Sequence, residues 1–175
     1  MTDAAISAYE RIVDLLGGND RIPASELRQW TASGDIRLWA LVCELLRVAE
    51  TRIEPAPPPE EIADLMRRYF VRCIDENPRP GEYLHGGYEA AWDLAQYLKR
   101  WAILGLSAPI EATAADLAAI YARSDDAAKN RVICGVLEHA FEEPRIRPFF
   151  EHWSRDLDLR DAYRLATEWG VAHEK

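Results

Sequence analysis

Apolar residues in this chain recur every three or four positions, segment after segment, and glycine or proline closes nearly every segment. That is the period of an α-helix with one buried face, and it constrains the fold more than any other feature. No stretch shows sustained strand alternation, and no Asn-Gly pair marks a hairpin turn. The pattern predicts an all-α protein of eight or nine helices joined by short loops, without a sheet.

The helices can be placed one by one. Ile6, Tyr9, Val13 and Leu16 form the stripe of the first, and Gly17-Gly18 stops it where a left-handed residue is wanted. Pro23 opens a short helix carrying Leu27 and Trp30. Asp35 can accept a bond from a free amide and so caps the next helix, which runs to about Glu50. Its apolar positions (Ile36, Trp39, Val42, Cys43, Leu46, Ala49) occupy much of its girth, which predicts a central place in the packing. Ile62, Leu65, Met66, Tyr69, Phe70 and Cys73 give the most regular stripe, ended by Asn77-Pro78-Arg79-Pro80-Gly81. A long helix begins between Glu82 and Tyr88 and continues to Leu104, with Ala91, Trp92, Ala95, Leu98 and Trp101 apolar. Gly105 and Pro109 break it. Helices over residues 110–123, 126–142, 144–153 and 157–169 complete the chain, with Pro144 suited to a first turn and Gly170 to a stop.

Pro55, Pro57, Pro58 and Pro59 forbid helix between Thr51 and Glu60 and favour a stiff, extended connection. The residues before them are too few to fold independently with ease. The expectation is a single domain over residues 1–175 with a Pro-rich crossover at 51–60.

Two windows ninety-one residues apart echo one another without gaps. Trp30, Ser33, Asp35, Leu41, Val42, Cys43, Leu46 and Ala49 meet Tyr121, Ser124, Asp126, Val132, Ile133, Cys134, Leu137 and Ala140. Each window reads as a helix ending near an aromatic, a Ser-x-Asp turn capped by the aspartate, and a second apolar helix. Over these residues the chain resembles the HEAT-type repeat proteins, and more generally the compact all-helical bacterial proteins of unknown function. The resemblance implies antiparallel helical hairpins, packed as an α-α superhelix or an irregular bundle, and a scaffold that binds other proteins along a concave surface.

Charge narrows the partners. Twenty-one basic against thirty acidic residues leave a net charge of −9. Arg67, Arg68 and Arg72 form one short basic stripe, but acidic neighbours surround it. Nucleic acid and anionic membrane are therefore excluded as primary partners, and a basic protein partner fits. The apolar runs are too short for a bilayer span. The first residues lack a signal-peptide pattern, so the expected location is cytoplasmic. Cys43, Cys73 and Cys134 lie in apolar helical stretches outside any C-x-x-C and read as small buried hydrophobes.

No G-x-S-x-G, Walker loop, dinucleotide fingerprint or H-E-x-x-H is present. No catalytic residue, metal ligand or cofactor is assigned. The one unusual stretch is 82–88, where Tyr83, His85, Gly86, Gly87 and Tyr88 precede the helix carrying Trp92. Paired glycines open backbone conformations closed to other residues, and a helix N-terminus can hold a carboxylate or phosphate. The same residues suit a plain helix start with packed tyrosines, and the sequence favours that account. Glu82 and His85 supply half of a dimetal signature whose second pair is absent. His139 and Glu143, one turn apart, would need further donors, for which His152 is the one nearby candidate in sequence, and an acidic, solvated helix end is the favoured reading. The six tryptophans fall mostly on apolar spacings and read chiefly as core.

The expected function is that of a soluble, non-enzymatic, protein-binding module of adaptor or immunity type. The alternative is a small-ligand or enzymatic site around 82–92, and a homodimer through the aromatic stripe is a third.

Overall fold

A computed structural model describes residues 3–79 and 84–174. It is all-α, with nine helices among these residues: α1 (Asp3–Gly17), α2 (Ala24–Ala32), α3 (Ile36–Ala49), α4 (Pro59–Glu76), α5 (Gly87–Leu104), α6 (Ser107–Arg123), α7, α8 (Arg147–Phe150) and α9 (Arg160–Ala172). α7 starts as Asp126–Asn130, widens into a π-helix over Arg131–Leu137 and ends with Glu138–Ala140. Short 3-10 segments follow α3 (Glu50–Arg52) and α8 (Glu151–Arg155). One pairing departs from the expected absence of sheet: Ile22–Pro23 lies parallel to Ile53–Glu54. Two residues per strand are too few for alternation to be visible in sequence. None of the described helices is long and apolar enough to cross a membrane.

The chain divides into two compact units. The first takes residues up to Tyr69 together with Arg79 and Leu84, and the second takes Phe70–Pro78 and His85 onward. The division falls inside α4, not at the Pro-rich stretch, which forms the 3-10 turn, the short strand and the start of α4 at Pro59.

In the first unit α3 packs against both α1 and α2, as its broad apolar girth predicts. Leu38, Val42, Leu45, Leu46 and Ala49 are all buried. Trp39 is half-buried. Its indole N–H donates to Thr31 O at 2.7 Å, satisfying a carbonyl at the end of α2. Arg52 does the same for α1, donating to Leu15 O and Asp20 O at 2.9 Å each. Arg28 and Glu61 tie α2 to α4 through two bonds of 2.6 and 2.9 Å. The stripe read for α1 faces largely outward: Ile6, Tyr9 and Val13 are exposed and Leu16 is half-buried, while Ile12 and Leu15 carry the burial. Gly17 and Gly18 end the helix without a left-handed residue, since Gly34 and Gly105 are the glycines with positive φ among the described residues. At Gly18 the constraint is space, because a Cβ there would stand 3.2 Å from Asp14 O.

In the second unit α5 is the buried element, with Ala90, Ala91, Leu94, Ala95 and Leu98 at 0 % exposure. Gly105 ends it at φ 74°. Leu106 N–H then returns to Trp101 O at 2.9 Å, in a Schellman closure. Pro109 breaks nothing. It sits inside the first turn of α6, where its missing N–H has no intrahelical partner to lose.

The predicted helix over 144–153 is instead a turn, α8 and a 3-10 segment. A helix begun at Pro144 would need an N–H at 148, and Pro148 has none. Ile146, Phe150 and Trp153 are nonetheless fully buried, and Phe150 meets Phe141 and Trp153 edge-on at 5.4 and 5.5 Å. α9 starts three residues later than expected because Asp156 Oδ1 turns the chain, accepting from Asp158 N–H and Leu159 N–H. Gly170 is not a stop. α9 runs through it to Ala172, and a Cβ on Gly170 would lie 2.6 Å from the Phe141 carbonyl carbon.

Candidate functional site on α5 and α7

The ends of α4 and α5 organise the unusual stretch. Asn77 closes α4 in the left-handed region at φ 46°, its N–H donating to Cys73 O at 2.9 Å, a conformation asparagine tolerates at helix ends. Gly86 then takes the N-cap position of α5 and has no side chain to offer. Glu89 Oε2 accepts from Gly86 N–H at 2.8 Å, which is the carboxylate half of a capping box alone. Gly86 and Gly87 do not supply unusual dihedrals, because neither has a positive φ. Gly87 is required for space: a Cβ would stand 2.6 Å from Asn77 Oδ1 and 2.7 Å from Arg131 Cδ.

Of the residues singled out from sequence, Tyr83 lies outside the described residues, as does Glu82. His85 is half-buried, edge-on to Phe70 at 5.4 Å, with Nε2 3.1 Å from Asp93 Oδ2. Tyr88 and Trp92 stand one turn apart on α5 and are 45 % and 54 % exposed. Trp92 thus leaves the core assigned to it, and so does Trp169 at 40 % exposure, stacked on His173.

α7 lies beside α5 and runs in the same direction. Arg131 touches Gly87, Gly135 faces Ala91 and Tyr88, His139 meets the Trp92 ring edge-on at 6.4 Å, and Glu142, just past α7, accepts from Lys99 Nζ at 2.8 Å. The approach is close enough that a Cβ on Gly135 would fall 2.6 Å from Ala91 Cβ. His139 Nδ1 faces Glu142 Oε1 at 3.3 Å, so its carboxylate neighbour is Glu142 and not Glu143. Burial pushes the Glu142 carboxyl upward, but Lys99 and His139 outweigh it and hold it below the usual range.

Hydrogen bonds to i+5 widen α7 over Arg131–Leu137, yet the buried positions Ala128, Val132, Gly135, Val136 and Ala140 keep a helical spacing, and Cys134 falls on the other side. Cys134, expected to be buried like its echo partner Cys43, is exposed. Partial desolvation and the nearby Glu138 carboxylate push its thiol upward, which lowers its thiolate fraction.

Arg131 was missed by the sequence reading. It is 6 % exposed. Its Nε donates to Ile74 O at 2.9 Å, a cation placed on a carbonyl near the end of α4. The signal was available, since the spacing Ala128, Arg131, Gly135 puts it on the stripe that α7 buries.

Among the described residues no group of three His, Cys, Asp or Glu side chains comes together for a metal. What the arrangement offers is a face: two exposed aromatic rings on α5, Glu89 and Asp93 beside them, and Cys134 and Glu138 on α7. Comparison with protein-family models, with curated proteins and with solved structures returns no match.

Proposed function

We propose that this chain is a protein-binding module whose contact face is centred on Tyr88 and Trp92. The observation that supports it is the exposure of these two rings, one turn apart on the best-buried helix of the second unit. Tyrosine and tryptophan are the residues that most often anchor interfaces. A rigid helix backed by α7 presents them at small cost in conformational entropy. The carboxylates of Glu89, Asp93 and Glu138 fit a partner segment that carries lysine or arginine around an apolar anchor, in keeping with the net charge of −9.

The test is comparative capture followed by reconstitution. Wild-type chain and the Trp92→Ala and Tyr88→Ala variants are used as bait, and a protein retained by wild type alone is purified and titrated back. Each substitution is expected to weaken binding by roughly tenfold or more, the loss typical of an interface anchor. Unchanged affinity in the double variant would move the interface elsewhere. A Trp92-dependent self-association, seen by sedimentation, would make the partner a second copy.

A further inference from the structure

The apolar residues that α1 leaves uncovered fall on one line. Ile6, Tyr9 and Val13 are each at least 40 % exposed, and Leu16 is half-buried. Their spacing is that of the a and d positions of a heptad, the seam along which one helix packs on another. A helix at the surface of a folded unit ordinarily turns its apolar stripe inward, and a contiguous apolar strip left in water marks an interaction site. α1 packs on α3, and its burial falls on the neighbouring face, at Ile12 and Leu15. Covering the seam therefore leaves the core of the unit undisturbed.

Charge says what covers it. Helical spacing sets Ile12 on one flank of the seam and Glu10 and Asp14, both exposed, on the other. Neither carboxylate has an ion-pair partner among the described residues. The one base on α1, Arg11, is turned to Glu26 at 3.5 Å. Two copies of α1 laid together would bring carboxylates to a seam with no base to meet them, and an anionic membrane would meet the same repulsion.

We infer that this face docks a basic amphipathic helix of another protein, with apolar residues seated on Ile6, Tyr9, Val13 and Leu16 and Lys or Arg along one edge meeting Glu10 and Asp14. The site belongs to the first unit, whereas Tyr88 and Trp92 belong to the second, so it stands or falls apart from them.

The experiment is an amide-resolved NMR titration of the full chain with three synthetic helices of about three heptads each. One carries leucine at a and d with lysine along one flank, the second has glutamate on that flank, and the third is the lysine peptide with its order scrambled. The lysine peptide is expected to bind saturably, with shifts centred on residues 6–16, and the other two to bind about tenfold more weakly or worse. Tyr9→Glu, a change at an exposed position, is expected to weaken the lysine peptide about tenfold. Glu10→Lys with Asp14→Lys is expected to turn the preference toward the glutamate peptide. Equal binding of the three peptides, shifts centred on α5, undiminished affinity in Tyr9→Glu, or an unchanged preference in the double variant would overturn the proposal. A Tyr9-dependent dimer in sedimentation would also overturn it, by making the occupant a second copy.

Discussion

At the scale of single residues, two aspartates of the repeated turn do different work than their alignment implies. Asp35 caps α3, its Oδ1 accepting from Arg37 N–H at 3.0 Å, and Arg37 returns bonds to the carboxylate. The aligned Asp126 is not a cap. Asp125 takes that position, accepting from Ala128 N–H at 2.9 Å, while its counterpart in the first turn is the left-handed Gly34. Asp35→Ala and Asp125→Ala should therefore each cost about 1 kcal/mol, the usual worth of an N-cap, and Asp126→Ala only a few tenths through the helix dipole. Urea unfolding of the three variants measures this, and equal losses at 125 and 126 would remove the assignment. Glycines sort by the same local reasoning. Gly170→Ala pushes a methyl into the Phe141 backbone and Gly135→Ala pushes one into Ala91. Both should destabilise by about 1–3 kcal/mol, the usual cost of overpacking. Gly17 is the last helical residue, and a Cβ there meets no neighbour. Gly17→Ala should be neutral or should stabilise by about 0.5 kcal/mol. Thermal melts showing the opposite order would mean that α7 and α9 can give way at these contacts.

At the scale of elements, helices were legible because period and punctuation agree. The N-cap at Asp35, the end at Gly105 and the buried stripe of α4 all follow from local chemistry. Faces were less legible. α1 carries apolar residues on two sides, and periodicity cannot say that Ile12 and Leu15 bury while Ile6, Tyr9 and Val13 do not. The echo survives where packing dominates, since Leu41 and Val132, Leu46 and Leu137, and Ala49 and Ala140 are buried in both copies. It fails at the turn, and at Cys134, which lies off the stripe that α7 buries, whereas α3 is buried around most of its girth, Cys43 included. The candidate site was half legible: Gly86-Gly87 marked the segment, but a tryptophan at helical spacing reads as core, so Trp92 gave no sign of its exposure. One element-level link has a pH signature. Glu142, joined to Lys99 of α5, has a carboxyl held below its ordinary value of 4.5. Its contribution to stability is therefore complete above that pH and lost as pH falls through the lowered value. Glu142→Gln should be less stable than wild type at neutral pH, with the gap closing on acidification below 4.5. Urea midpoints that stay parallel across that range would show that Glu142 is not linked to folding.

At the scale of the whole molecule, the proposed binding would draw separable contributions from the excess of nine negative charges and from the two exposed rings. Long-range charge acts on the encounter, because it steers a basic partner over about a Debye length and is screened by salt. Buried aromatic anchors act on the lifetime of the complex, because they are desolvated only after docking. Raising ionic strength from about 0.05 to about 0.5 M shortens the Debye length several-fold, so association with a basic partner should slow markedly while dissociation changes little. Trp92→Ala should do the reverse, speeding dissociation about tenfold with association nearly intact. A paired reduction of charge, Glu89→Gln with Asp93→Asn, should reproduce the salt effect at low ionic strength and flatten its dependence. Stopped-flow association and surface-based dissociation rates separate the two. An association rate indifferent to both salt and these substitutions would leave the acidity of the chain to solubility and take the basic partner out of the proposal, whereas an unchanged dissociation rate in Trp92→Ala would take out the aromatic anchor.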